Sequence, residues 1–164
     1  MTVRGKHLIA PAAVLVGAWW LLDRLIVTDR EAIEGIVGDM CRSAGAADVE
    51  GIFARISPNF ENDTISRDDL RLLATAFFAR YGPVSVRVRR DEINIAGSRA
   101  AAVVSVVGIA DKEGYAGFFG DSQWELDLRR GSDGKWLVTN LSPMKIGGAD
   151  VNGWGDVRRH AGLQ

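Results

Sequence analysis

Residues 124–141 read WELDLRRGSDGKWLVTNL, and this stretch decides the fold. Trp124, Leu126 and Leu128 alternate with Glu125, Asp127 and Arg129, the period of a strand with one wet face. Gly131-Ser132-Asp133-Gly134 supplies turn residues, and Lys135 to Leu141 returns, which predicts a hairpin. The same period extends upstream. Val84, Val86 and Val88 alternate with Ser85, Arg87 and Arg89, and Ile93 and Ile95 resume after Arg90-Asp91, where a bulge is expected. Ala96-Gly97-Ser98-Arg99 turns the chain into Ala100 to Ile109, a nearly continuous apolar strand expected to be covered on both faces.

Before Pro83 the period is helical. Thr28-Asp29-Arg30-Glu31 is a capping-box pattern, followed by the stripe Ile33, Ile36, Val37, Met40 and Cys41 and a stop at Gly45. Asp48 opens a short second helix with Val49, Ile52, Phe53 and Ile56, ended by Ser57-Pro58. Ser66, Asp68 and Asp69 suit the positive end of a third helix, whose stripe is Leu70, Leu73, Ala74, Phe77 and Phe78 and whose terminator is Gly82-Pro83. Helices first and strands after predict an α+β domain, three helices packed on one face of an antiparallel sheet.

Leu8 to Leu22 is an unbroken apolar or small run, with Arg4 and Lys6 before it and Asp23 and Arg24 after. As a helix it rises about 22 Å, and Leu25, Ile26 and Val27 lengthen it toward a bilayer span. Trp19 and Trp20 suit an interface, and the end lacks the small-residue pattern of a cleaved signal. The expectation is an uncleaved, single-pass signal anchor in a bacterial plasma membrane. The preceding basic residues place its N-terminus in the cytoplasm and the domain outside, in the periplasm. A helix packed within an assembly is the competing reading. The chain then divides into 1–27, tail and anchor; 28–146, the α+β domain; and 147–164, a glycine-rich tail that is either mobile or docked through Trp154. Net charge is −1 with 20 Lys and Arg against 21 Asp and Glu, so nothing in the overall balance calls for nucleic acid. A lone cysteine, Cys41, excludes an internal disulfide.

The three-helix opening, ISPNFEND (Ile56–Asp63) after the second helix, SRDDL (Ser66–Leu70) opening the third, and four strands ending in WELDLRRGSDGKWLVTNL together resemble the nuclear-transport-factor-2-like superfamily over about Thr28 to Ile146. That group includes ketosteroid isomerase and SnoaL-type cyclases. The resemblance implies a curved sheet wrapped around helices, a cone with a pocket at its open end, and pairing of two copies through the sheet face. It also implies a general-base carboxylate near Glu61 or Asp63, in an apolar pocket that raises its pKa. The alternative is that Asp63 is a turn or cap residue.

Phe60, Tyr81, Trp124, Trp136 and Asn140 are the candidate ligand-lining residues. Trp124 and Trp136 are expected as cross-strand neighbours, in a pocket or simply in the core. The tyrosines, Tyr81 and Tyr115, do not lie where the isomerase keeps its oxyanion donor. The histidines, His7 and His160, fall outside the expected core. No ligand spacing suggests a metal, and no cofactor is expected. Glu113 to Gly120 is read either as an aromatic lip or as a bulged strand end. Arg87, Arg89 and Arg90, with Arg99, form either a solvated strand face or a contact for lipid headgroups or an acidic partner. The functional expectation is an anchored module that binds a small apolar ligand or a protein without catalysis. The alternative is a small lyase or isomerase using Asp63 or Glu61.

Overall fold

A computed structural model describes residues 28–62, 64–110 and 117–160. Expectations for residues 1–27, and for Asp63 and Tyr115, fall outside these. Among the described residues no helix is long and apolar enough to cross a membrane.

Helix α1 spans Asp29–Gly45, α2 Val49–Phe53 and α3 Arg67–Tyr81. Each starts where its polar cap predicts. Thr28 accepts from the Glu31 amide while the Glu31 carboxylate accepts from the Thr28 amide, closing the capping box. Asp48 caps α2 and Ser66 caps α3. At the end of α3, Gly82 takes a positive φ of 72°, a conformation that costs glycine nothing. Strands β1 (Val84–Ala96), β2 (Arg99–Ala110), β3 (Gly117–Arg130) and β4 (Trp136–Ile146) form an antiparallel meander, and the two-residue β5 (Ala149–Asp150) completes the sheet in the order β1-β2-β3-β4-β5.

The expected bulge is present. The β1–β2 register shifts between Arg90 and Glu92, leaving Asp91 unpaired in the ladder. Two further shifts lie in β3–β4, at Gln123/Trp124 and Asp127/Leu128, and one in β2–β3 between Val107 and Ile109. Bulges raise local twist, which bends long strands around the helices. The ISPNFEND stretch runs beside β4. Ile56 bridges Val138 in parallel, the Ser57 amide donates to the Val138 carbonyl at 2.8 Å, and the Glu61 amide donates to the Thr139 carbonyl at 2.8 Å.

The core lies at the end of the sheet nearest the start of α1. Ile33, Ile36 and Val37 pack with Phe53, Phe60, Val104, Leu126, Leu128, Trp136 and Val138. Ala100 and Ala102 on β2 are small where the helices cross the sheet, and both are buried. Ile33 and Val138 have no exposed surface at all, and each such side chain contributes about 1.5–3 kcal/mol by burial.

Three expectations are corrected. Ala100, Ala102 and Val104 are buried, but Ala101, Val103, Ser105 and Val107 between them are only half-buried, so β2 is not covered on both faces. A meander leaves the outer face of its central strand without a second layer. Trp124 and Trp136 are not cross-strand neighbours: the tight hairpin pairs Trp136 with Arg130 and leaves Trp124 opposite Pro143. Arg90 does not share the outer face with Arg87 and Arg89; it continues the inward alternation of Val84, Val86 and Val88 ahead of the bulge, and its Nη1 lies 3.6 Å from Glu34 Oε2. Of the two readings of the tail, docking through Trp154 is the one the structure has. Helix α4 (Trp154–His160) docks through Trp154, which is 4% exposed and donates from Nε1 to the Leu141 carbonyl at 3.0 Å.

Candidate functional site

Past Val37 the spacing between α1 and the sheet is no longer filled. Met40, Cys41 and Ala44 of α1 and Leu73, Ala74, Phe77 and Phe78 of α3 face Val86, Val106, Ser122, Trp124, Leu141 and Ile146 across a cavity of about 640 Å³. Trp154 and Val157 of α4 close one side. Helix α3 makes this space because it buries fully only Leu70 and Tyr81, and the rest of its stripe stands half-exposed over the opening. Arg67 and Arg71 hold its start, with guanidinium carbons 5.3 and 4.8 Å from the Phe53 ring centroid.

No charged side chain lines this cavity among the described residues. Its polar atoms are few and mostly engaged with each other. The Ser122 hydroxyl donates to the Val106 carbonyl at 3.1 Å and accepts from Trp124 Nε1 at 2.9 Å. Burial pushes the Cys41 thiol up, partly opposed by the Arg90 charge, so it stays protonated at neutral pH. The surface therefore favours an uncharged, apolar occupant, and its described residues offer no base or oxyanion donor set.

A second, polar cleft of about 380 Å³ lies on the other side of Trp154, lined by Glu61, Asn62, Thr64, Asn140, Ser142 and Asn152 among others. The Asn62 and Asn140 amides satisfy one another. Asn62 donates from Nδ2 to Asn140 Oδ1 at 2.8 Å and to the Leu141 carbonyl at 3.2 Å, and its Oδ1 accepts from the Thr64 amide and hydroxyl. Asn140 donates in turn to Asp127 Oδ2 at 3.1 Å. This network fastens the ISPNFEND stretch to β4 and engages the Asn62 and Asn140 amides.

Of the candidate catalytic and ligand-lining residues among those described, the structure brings only Trp124 to the apolar cavity. Glu61 and Asn140 line the polar cleft. Phe60 and Trp136 are core residues at 8% and 4% exposure, and Trp136 Nε1 donates to Asp29 Oδ1 at 3.0 Å. Tyr81 packs against Phe77, ring centroids 5.0 Å apart. Asp63 lies outside the described residues; Asn62 and Thr64 on either side of it line the cleft rather than the cavity. The lining residues that sequence reasoning assigned to ordinary core are Met40, Cys41, Leu73, Phe77 and Phe78. Their signal, an apolar stripe at helical spacing, is the same for a filled core and for a cavity wall. No group of three or more His, Cys, Asp or Glu able to hold a metal occurs among the described residues.

No protein-family model and no curated protein matches this sequence. Solved structures do match by fold. Rv3472 of Mycobacterium tuberculosis, of unknown function, is 20% identical with a TM-score of 0.58, covering 80% of this chain and 89% of that one. An NTF-2-like protein of unknown function from Shewanella oneidensis is 12% identical with a TM-score of 0.54, covering 70% and 97%. Bd1075 of Bdellovibrio bacteriovorus is 10% identical with a TM-score of 0.59, covering 74% of this chain, which spans only 41% of that longer protein. Identities this low speak to architecture alone. The described residues have a nuclear-transport-factor-2-like fold, an α+β arrangement of helices on an antiparallel sheet.

Proposed function

We propose that this chain is a membrane-anchored binding module whose cone takes one small, uncharged, apolar ligand, without catalysis. The observation that carries the reading is the 640 Å³ cavity lined by apolar side chains and no charge. The anchor is residues 8–27, on the grounds of their apolar run and basic flank. The cell location that follows is the bacterial plasma membrane, with the domain in the periplasm.

A second copy is the proposed protein partner, through the outer sheet face. Ala101, Val103 and Val107 form a half-buried strip on β2. It is flanked by Arg87 and Arg89 on β1 and by Asp121, Glu125 and Asp127 on β3. A two-fold axis along β2 would lay the basic side of one copy over the acidic side of the other.

The test of the ligand reading is titration of the full chain in detergent with N-phenyl-1-naphthylamine, a neutral apolar fluorophore. Saturable binding at one site per chain is expected, with quenching of Trp124 and Trp154. Ala74→Phe, which puts a ring into the middle of the cavity, should weaken binding at least about ten-fold while keeping thermal stability. Non-saturable uptake, or binding indifferent to Ala74→Phe, would overturn the reading.

A further inference from the structure

Arg99 and Arg129 stand directly opposite each other on β2 and β3, and both are exposed. Like charges on facing strand positions repel, and among the described residues neither guanidinium has an acid partner. Several other basic residues of the sheet and turns do have one: Arg89 pairs with Asp91, Arg90 with Glu34, Arg130 with Asp29 and Lys135 with Asp133, whereas Arg87 on β1, away from this turn, has none among the described residues. An unmatched pair of arginines in direct register calls for an anion supplied from outside the domain.

The location of the pair narrows the source. Arg130 follows Arg129, its Nη1 lies 2.8 Å from Asp29 Oδ1 in the first turn of α1, and its amide donates to the Ser98 carbonyl at 2.9 Å. The β1–β2 turn, the β3–β4 turn and the start of α1 therefore form one end of the domain. Arg30 and Lys135 lie at the same end, with side chains 56% and 75% exposed. The acids there are engaged: Asp29 by Arg130 and Trp136, Glu31 by the Thr28 cap, and Asp133 by the Lys135 amide. This is also the end at which the apolar N-terminal segment joins, since Val27 directly precedes the helix cap Thr28. The cavity begins at Met40, about 16 Å farther along α1.

We propose that this end of the domain rests on an anionic lipid surface, with Arg99 and Arg129 binding headgroup phosphates, while the cavity opens on the far side. The proposal rests on the reading of residues 8–27 as a membrane anchor. Without a spacer between that segment and α1, the arginine pair is held at headgroup depth, where the planar guanidinium fork matches a phosphate in two-point contact. Each basic residue near an anionic leaflet strengthens partitioning about five-fold. The face thus orients the cone so that its ligand arrives from the aqueous side.

The test uses the full chain, carrying Cys41→Ala and a fluorophore attached through Ser98→Cys. It is reconstituted in vesicles of phosphatidylcholine alone, or with about a third phosphatidylglycerol, both containing a nitroxide-headgroup lipid. Quenching is expected to rise at least two-fold with the anionic lipid, to fall back in about 0.5 M salt, and to lose its lipid dependence in Arg99→Gln/Arg129→Gln. Equal quenching in both vesicle types, or a lipid dependence that survives the double substitution, would overturn the proposal and leave an acidic protein surface as the pair's counterpart. Carbonate-resistant retention in the neutral vesicles tests the anchor separately. Loss of that retention with arginine-dependent binding to anionic vesicles would remove the anchor and keep the headgroup face. Binding to neither vesicle would remove both.

Discussion

At the scale of single residues, the polar groups act as fasteners. Asp91, pushed out of the ladder by the bulge, accepts from the Ser105 hydroxyl and from Arg89 Nε, and these bonds hold its carboxyl below the usual carboxylate range. A folded pKa below the unfolded value means that Asp91 contributes stability above the ordinary carboxylate range and loses it as pH falls through the depressed pKa. Ser105→Ala is therefore expected to raise the Asp91 pKa toward its ordinary value, read from the pH dependence of the Asp91 side-chain carbon shift by NMR. An unmoved titration would rule out the serine as the main cause. Cys41 offers a second readout, because its raised pKa and half-burial predict slow alkylation near neutral pH. Bound N-phenyl-1-naphthylamine should slow it further, followed by mass spectrometry; unchanged labelling would place that probe outside the cavity.

At the scale of elements, caps and glycines decide where each piece starts and how it is aimed. The Thr28 box closes the N-terminus of α1, and Thr28→Ala is expected to cost about 1 kcal/mol, visible as a lower melting temperature with the fold retained. Gly153 holds φ at 93°, immediately before Trp154. A Cβ there would meet only ordinary contacts at Thr64, so the cost of Gly153→Ala is backbone strain, about 1–3 kcal/mol. Its effect should be local, with faster amide exchange in α4 and little change in α1; uniform loss of protection would mean that α4 is not a separable cover of the cavity. The helical caps were legible in the sequence because each is a short-range event, one side chain answering a backbone group a few residues away, and the β1 bulge because Arg90-Asp91 interrupts the apolar alternation. The bulges of β3 and β4 were not, since they depend on the register two long strands adopt together.

At the scale of the whole molecule, the outer sheet face carries the clearest assembly prediction. Val103→Arg places a charge on the half-buried strip without touching the core beneath it. It is expected to convert a dimer to a monomer in sedimentation equilibrium of the detergent-solubilised chain, with the melting transition of the cone preserved. A monomeric parent protein would sink the sheet-face pairing.

The alternations 84–88 and 124–128, the three helix starts and the turn residues determined an α+β chain by themselves. Secondary-structure period and capping are written in neighbouring side chains. Tertiary structure decided what the same apolar residues became. Trp136 and Phe60 entered the core while Phe77 and Phe78 lined a cavity, because α3 buries only Leu70 and Tyr81 fully and leaves the rest of its stripe over the opening. It also decided that Glu61 and Asn140 meet in a polar cleft, that Trp154 closes the cone, and that Arg99 faces Arg129. Each of these depends on segments far apart in the chain arriving at one place, and local sequence holds no record of such distances.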